Sequence, residues 1–146
     1  MAKSTRRPKV PYSEAIADEI CDTIAKTHLG LKHFCKANNH WPDERTIYRW
    51  LLDHTYFSQH YAQARAVQAE GLVDDIMAIA YDDSHDVYID DEGRHQCNTA
   101  AISRARLKID SIKWLTSKVL PKKYGDKKDS EENSDNDFIS KNRDKL

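Results

Sequence analysis

The stretch WPDERTIYRWL, residues 41–51, constrains the fold more than any other part of the chain. Pro42 keeps the residue before it out of helical geometry, and the carboxylate of Asp43 can accept hydrogen bonds from the first unpaired amides of a helix. The stretch therefore predicts a helix that begins at 43–44. Apolar residues recur in it at i, i+3 and i+4 and form one face, which is expected to pack: Ile47, Trp50 and Leu51. The remaining side chains are free to bind a partner: Arg45, Thr46, Tyr48 and Arg49.

Two shorter helices are predicted before this one. Ser13 can cap the first, in which four apolar residues form a buried stripe: Ile16, Ile20, Cys21 and Ile24. Gly30 interrupts the pattern, and Leu31, Phe34 and Cys35 then indicate a second helix of about two turns. Three short helices whose third offers cations and an aromatic ring are typical of a helix-turn-helix DNA-binding domain, which we place at residues 12–58.

The first residues, 1–11, are rich in lysine, arginine and proline and are expected to form a flexible basic arm. Four cations lie there without any acid: Lys3, Arg6, Arg7 and Lys9. Such arms supply phosphate or minor-groove contacts beside a helix that lies in the major groove.

The second half of the chain, residues 59–124, predicts a long antiparallel helical hairpin. We expect Thr55 to cap the first helix, which carries a stripe of apolar residues: Ala69, Leu72, Val73, Ile76, Met77 and Ala80. The second is expected over about 98–120, with Pro121 ending it. Residues 82–98 lie between the two and predict a small β-hairpin or ordered loop.

The second helix of this hairpin has two apolar faces. Four residues are expected to pack on the preceding helix: Ile102, Ile109, Ile112 and Leu115. Leu107 and Trp114 lie on a different face, and a single antiparallel partner cannot cover both faces. We therefore predict that Leu107 and Trp114 form an interface with another subunit of a homo-oligomer.

Composition limits the alternatives. The chain has 146 residues, of which only 39% are hydrophobic, so small helical modules are expected rather than one large globule.

Residues 125–146 are polar and acid-rich, which predicts a disordered C-terminal tail. The three cysteines and seven histidines match no zinc pattern, and no segment has signal-peptide or membrane length, so we expect a cytoplasmic protein without metal or cofactor.

No catalytic motif is present in the sequence. The glycines belong to no phosphate-binding loop, and the adjacent carboxylates Asp74 and Asp75 diverge by about 100° on a helix, which does not build a two-metal site. We therefore expect a DNA-binding protein that is not an enzyme. A helix-turn-helix transcriptional regulator or a recombinase-type protein is the alternative, and a purely structural helical scaffold is a third.

Several strings resemble the small subunits of bacteriophage terminases, in the ring-forming group with an N-terminal helix-turn-helix. They are PDERTIYRWL, FSQHYAQARA and RARLKIDSIKWLTSKVLPKKYGDK, and the likeness extends over about residues 12–128. The resemblance implies an all-α protein of the host cytoplasm that recognises viral double-stranded DNA, forms a ring of about eight or more copies, and delivers DNA to a large motor and nuclease subunit.

Two departures from the family pattern are visible: Arg45 stands where a small polar residue is common, and the 82–98 insertion is long. The residues that we expect to contact DNA are those of the third helix, one from the second helix and two from the arm: Arg45, Thr46, Tyr48, Arg49, Lys32, Arg6 and Arg7. The tail is expected to dock on the large subunit, because a disordered segment with a few apolar anchors can fold on a partner.

Overall fold

The computed structural model describes residues 9–126 and is mostly helical. These residues form two compact units that divide between Gln68 and Ala69, and one long helix contributes to both. Six helices and a two-stranded sheet follow in chain order: α1 (Glu14–Ala25), α2 (Leu31–Ala37), α3 (Glu44–Asp53), α4 (Thr55–Tyr81), β1 (Val87–Ile89), β2 (His95–Cys97), α5 (Thr99–Val119) and α6 (Pro121–Tyr124). The predicted fold class is therefore confirmed, including the small hairpin in the insertion.

The first unit begins its helices at the predicted caps. The amide of Ile16 donates to the Ser13 hydroxyl at 3.3 Å, and that of Thr46 donates to Asp43 Oδ1 at 2.8 Å. Thr55 was predicted to cap α4, and this is wrong. The first bond of α4 runs from the Ser58 amide to the His54 carbonyl, so His54 holds the cap position and Thr55 is already helical.

The core of the first unit combines all three short helices with the beginning of α4. Its largest fully buried side chains are Trp41, Phe57, Ile20, Ile24 and Ile47. Trp50 is 6% exposed, and the ring of Tyr12 meets it edge-on at a centroid distance of 5.3 Å. The expected burial of Trp50 on the packing face of α3 is confirmed. The predicted domain limits, 12–58 and 59–124, stay predictions.

The second unit contains the rest of α4, the hairpin, α5 and α6. β1 and β2 pair antiparallel, with Val87 opposite Cys97 and Ile89 opposite His95. Asp90 organises the turn, since its carboxylate accepts the amides of Glu92 and Arg94, and Gly93 adopts a φ of 79° that a side chain would disfavour.

Within the second unit α4 contacts α6 near its middle and α5 near its end. Glu70 accepts hydrogen bonds from Lys123 and Tyr124, while Ile79 and Ala80 share a groove with the first turns of α5. Ala69, Leu72, Ile112 and Thr116 are the buried residues.

Three residues of the predicted apolar stripes are more exposed than expected. Ile102 is 42% exposed, Met77 is 57% exposed, and Ala80 is exposed as well, because the hairpin is only two helices thick at that end. Pro121 directly follows the end of α5, as predicted, and it also begins α6, since its fixed φ suits the first position of a helix.

Candidate nucleic-acid interface

The exposed face of α3 carries the predicted cations. Arg45, Tyr48 and Arg49 are exposed, with Tyr48 at 50%, while Ile47 and Trp50 occupy the opposite, buried side. The apolar residues of α3 therefore lie on one side, in the core, and its cations lie on the other side, exposed to solvent, as the spacing predicted.

Thr46 has a different place from the other three. It is half-buried, and it serves the helix start, because its amide donates to the Asp43 carboxylate. Hydrogen bonds from the Thr46 side chain and backbone hold the pKa of Asp43 below its ordinary value, and the charges of Arg45 and Arg49 lower it further. The ionised form of Asp43 is thus favoured beside the two arginines, and its negative charge offsets part of the positive charge on this face of α3.

Lys32 lies exposed on α2, the helix before the turn. One turn further on α2, Lys36 is exposed as well, and the i, i+4 spacing places both amines on one side of the helix. The sequence showed this spacing, but Lys36 was not singled out there. Arg6 and Arg7 of the arm lie outside the described residues.

Leu52 is the second residue that sequence reasoning missed. It is 87% exposed, more than any other large apolar side chain between residues 9 and 126, and it follows Tyr48 by four positions and Arg49 by three. It therefore shares the exposed face with the cations. A leucine there offers an apolar surface of the kind that contacts thymine methyl groups in a major groove.

Two hydrogen bonds fix the turn that leads into α3. Glu19 of α1 accepts from the Trp41 indole at 3.0 Å and lies 2.7 Å from the His40 ring nitrogen. The bond from Trp41, followed by that from His40, lowers the pKa of Glu19. Because Trp41 directly precedes Pro42 and the α3 cap, this anchor helps to set the direction in which α3 leaves the turn.

A second anchor holds the connection between α1 and α2. Gln68 of α4 is 3% exposed, and its amide nitrogen donates to the carbonyl oxygens of Thr27 and Leu29 at 2.6 and 3.1 Å. Arg65 donates in turn to the Gln68 side-chain oxygen. The loop before α2 is thus tied to α4 by a fully satisfied buried amide.

The two residues predicted for an oligomer interface are uncovered. Leu107 is 56% exposed and Trp114 is 65% exposed, whereas Trp41 and Trp50 are buried. Hydrophobic side chains this large and this exposed on one helix indicate a surface for association.

A metal-binding cluster and a membrane-spanning helix are both absent from the part of the chain that the structure describes. Between residues 9 and 126, no three His, Cys, Asp or Glu side chains are grouped so that they could hold a metal ion. In the same range, no helix combines the length and apolar content needed to cross a membrane.

Comparisons with known proteins agree on one family. A family model described as "Bacteriophage Sf6, terminase small subunit-like" matches residues 12–131. Crystal structures of variants of the terminase small subunit of the bacterial virus Sf6 are similar to the chain. One has 32% sequence identity and a TM-score of 0.60, with 80% of this chain and 79% of that chain covered. Another has 31% identity and a TM-score of 0.61, covering 80% and 84%. Among curated proteins, none matches significantly.

Proposed function

The chain belongs to the family of Sf6-like terminase small subunits, and on that premise we propose that it recognises viral double-stranded DNA through α3. In this proposal the protein has no catalytic activity of its own. It assembles into a homo-oligomeric ring in the host cytoplasm and delivers DNA to the large terminase subunit, which packages the genome. No cofactor takes part.

The observation that carries the DNA-binding part is the exposed side of α3. Arg45, Tyr48 and Arg49 extend from a helix whose other side is buried, so they can approach a groove without disturbing the core. Lys32 from α2 adds a cation for the phosphate backbone, as do Arg6 and Arg7 of the arm. Thr46 contributes by fixing the first turn, because the structure assigns its amide to the Asp43 cap.

Ring assembly supports recognition by multivalency. One small helix-turn-helix domain binds DNA weakly, and several copies held together raise the overall affinity through effective concentration. Leu107 and Trp114 supply an exposed apolar surface for that assembly.

Replacing Arg49 by alanine tests the DNA surface. We expect Arg49→Ala to weaken binding to a labelled mixed-sequence duplex by about tenfold, equivalent to about 1.4 kcal/mol. If the lost contact is to a phosphate, the slope of log affinity against log salt should also decrease by about 0.9.

Lys26→Ala is the matched control, because Lys26 is an exposed cation of the same unit at the end of α1. It should bind like the unchanged protein. If both substitutions weakened DNA binding equally, the effect would come from the overall charge of the protein and not from a specific contact. If Arg49→Ala did not weaken DNA binding, this face of α3 would be excluded as the DNA-binding surface.

A further inference from the structure

We propose that Leu52 is a specificity-determining residue, and that its side chain contacts the 5-methyl group of a thymine in the major groove. This inference rests on the proposed function, in which α3 binds double-stranded DNA, and it adds a base that the helix recognises. Leu52 is the ninth residue of α3 and is 87% exposed. Single exposed leucines are common on protein surfaces, so the position of Leu52 matters more than its exposure.

Leu52 lies within the exposed side of α3 and not at its margin. Successive residues of a helix turn by about 100°, so Leu52 points within about 20° of Arg45, two turns earlier, and about 60° from Arg49. The buried Ile47 lies on the opposite side. The exposed residues follow the spacing i, i+3, i+4, i+7, with which the recognition helix of a homeodomain reads the major groove: Arg45, Tyr48, Arg49 and Leu52.

The turn that carries Leu52 is held in place at the end of α3. The amide of His54 donates to the Trp50 carbonyl at 2.9 Å and closes the last turn. The ring of Tyr12 stacks on the His54 ring at a centroid distance of 3.5 Å and meets Trp50 edge-on. Leu52 lies between these two held positions, so its backbone needs no further ordering when DNA binds.

The chemistry of a leucine side chain selects thymine among the four bases. Guanine, cytosine and adenine present hydrogen-bond donors and acceptors in the major groove, whereas thymine also presents an apolar methyl group. Leucine has no hydrogen-bonding atom in its side chain, so it gains most by burying that methyl group. Arg45 and Arg49 have the complementary role, since arginine donates hydrogen bonds to guanine or to phosphate.

The C-terminal end of α3 is unfavourable for phosphate. Asp53 is exposed beside Leu52, and the C-terminal end of a helix carries a negative partial charge. An uncharged base is therefore the part of DNA that suits Leu52. A protein partner on this face would have to take Arg45 and Arg49 out of water, whereas DNA offers both arginines phosphates or guanines.

Replacement of thymine by deoxyuridine isolates the methyl group. Both bases pair with adenine in the same way, and only thymine has the methyl group in the major groove. The probe is a duplex that the unchanged full chain enriches from a random-sequence pool, with its thymines replaced one at a time. We expect the unchanged chain to lose about fourfold in affinity at one of these thymines, equivalent to about 0.8 kcal/mol.

Leu52→Ala should remove this discrimination. We expect the variant to bind the thymine duplex about fourfold more weakly, and to bind the thymine and deoxyuridine duplexes equally well. Its affinity for a duplex of G·C pairs alone and its salt dependence should stay unchanged, because leucine contacts no phosphate. Its stability in urea should also stay unchanged, since the side chain lies outside the core.

Val67→Ala is the matched control, because Val67 is a 57% exposed apolar residue of the same unit that lies on α4. It should keep the preference for thymine. Equal losses on deoxyuridine for Leu52→Ala and the unchanged chain would overturn the assigned contact. A changed sedimentation of DNA-free Leu52→Ala, with its thymine preference intact, would overturn it as well and assign Leu52 to a contact between copies.

The Arg49→Ala variant separates this inference from the proposed function. If Arg49→Ala weakens DNA binding but no thymine can be distinguished from deoxyuridine, α3 remains the DNA-binding surface and the role of Leu52 is refuted. A chain that binds DNA but enriches no sequence from the pool would refute that role too. If the unchanged chain binds no duplex at all, the proposed function fails and this inference fails with it.

Discussion

Replacing Glu19 by alanine tests whether the anchor between α1 and the turn holds α3 in place. Glu19→Ala removes the acceptor of the Trp41 indole N–H, which lies 3.0 Å away in a residue that is only 1% exposed. A buried donor without a partner costs about 1–3 kcal/mol. The contact with His40 is exposed on both sides and adds only about 0–1 kcal/mol. We therefore expect a loss of about 1–3 kcal/mol in the free energy of unfolding.

The measurement can be confined to the first unit. The chain has three tryptophans, of which Trp41 and Trp50 belong to the first unit and Trp114 to the second. In a Trp114→Phe background, urea unfolding followed by tryptophan fluorescence reports on the first unit alone. Asp22→Ala is the control, because Asp22 is an exposed acid three residues further along α1, and it should change stability by less than about 0.5 kcal/mol.

The loss should also depend on pH. The pKa of Glu19 is lowered in the folded state, first by the hydrogen bond from Trp41, so its ionised form is favoured by folding. This stabilisation is present above the ordinary glutamate pKa of 4.5 and is lost as the pH falls through the lower, folded value. The stability difference between the unchanged protein and Glu19→Ala should therefore shrink between neutral pH and the acid range. A difference below about 0.5 kcal/mol at pH 7, or one that grows on acidification, would refute this account of the anchor.

Two further predictions concern the core and the tail. Trp50→Ala should lose folding cooperativity together with DNA binding, because Trp50 packs in the core, and a variant that melts normally but binds no DNA would instead make Trp50 a base-stacking residue. Truncation after Lys128, in the segment outside the described residues, should leave ring formation and DNA binding intact but abolish stimulation of the large subunit's ATPase in a reconstituted packaging reaction. Full activity of the truncated protein would place the docking surface elsewhere.

Local signals in the sequence predicted the helix starts of the first unit. The Ser13 and Asp43 caps act within three residues of chain, and the packing side of α3 follows from its spacing. The α4 start was missed because His54 supplies the cap position with its backbone carbonyl rather than a side chain that propensity would reveal. Periodicity also overestimated burial at the far end of the hairpin, since a stripe shows which side is apolar and not whether anything covers it. Met77 is the clearest example.

The anchors could not be predicted from the sequence. Glu19 and Trp41 are 22 positions apart, and Gln68 reaches Thr27 across 41 positions, so neither pair leaves a local pattern. Leu52 was missed for a different reason. A leucine after a predicted apolar stripe is ordinarily assigned to the core, and only the direction of α3 relative to the rest of its unit reveals that the side chain is 87% exposed.

The continuity of α4 gives the two activities of the proposal a common element. Its first half contributes Phe57 and Ala64 to the core of the first unit, and its second half contributes the buried Ala69 and Leu72 to the second unit. Gln68 stands at the end of the first unit and ties the loop before α2 to this helix. In the proposed ring, each added copy brings one more DNA-binding unit. A ring so built gains affinity from the number of copies, while the cationic face of each α3 stays unchanged.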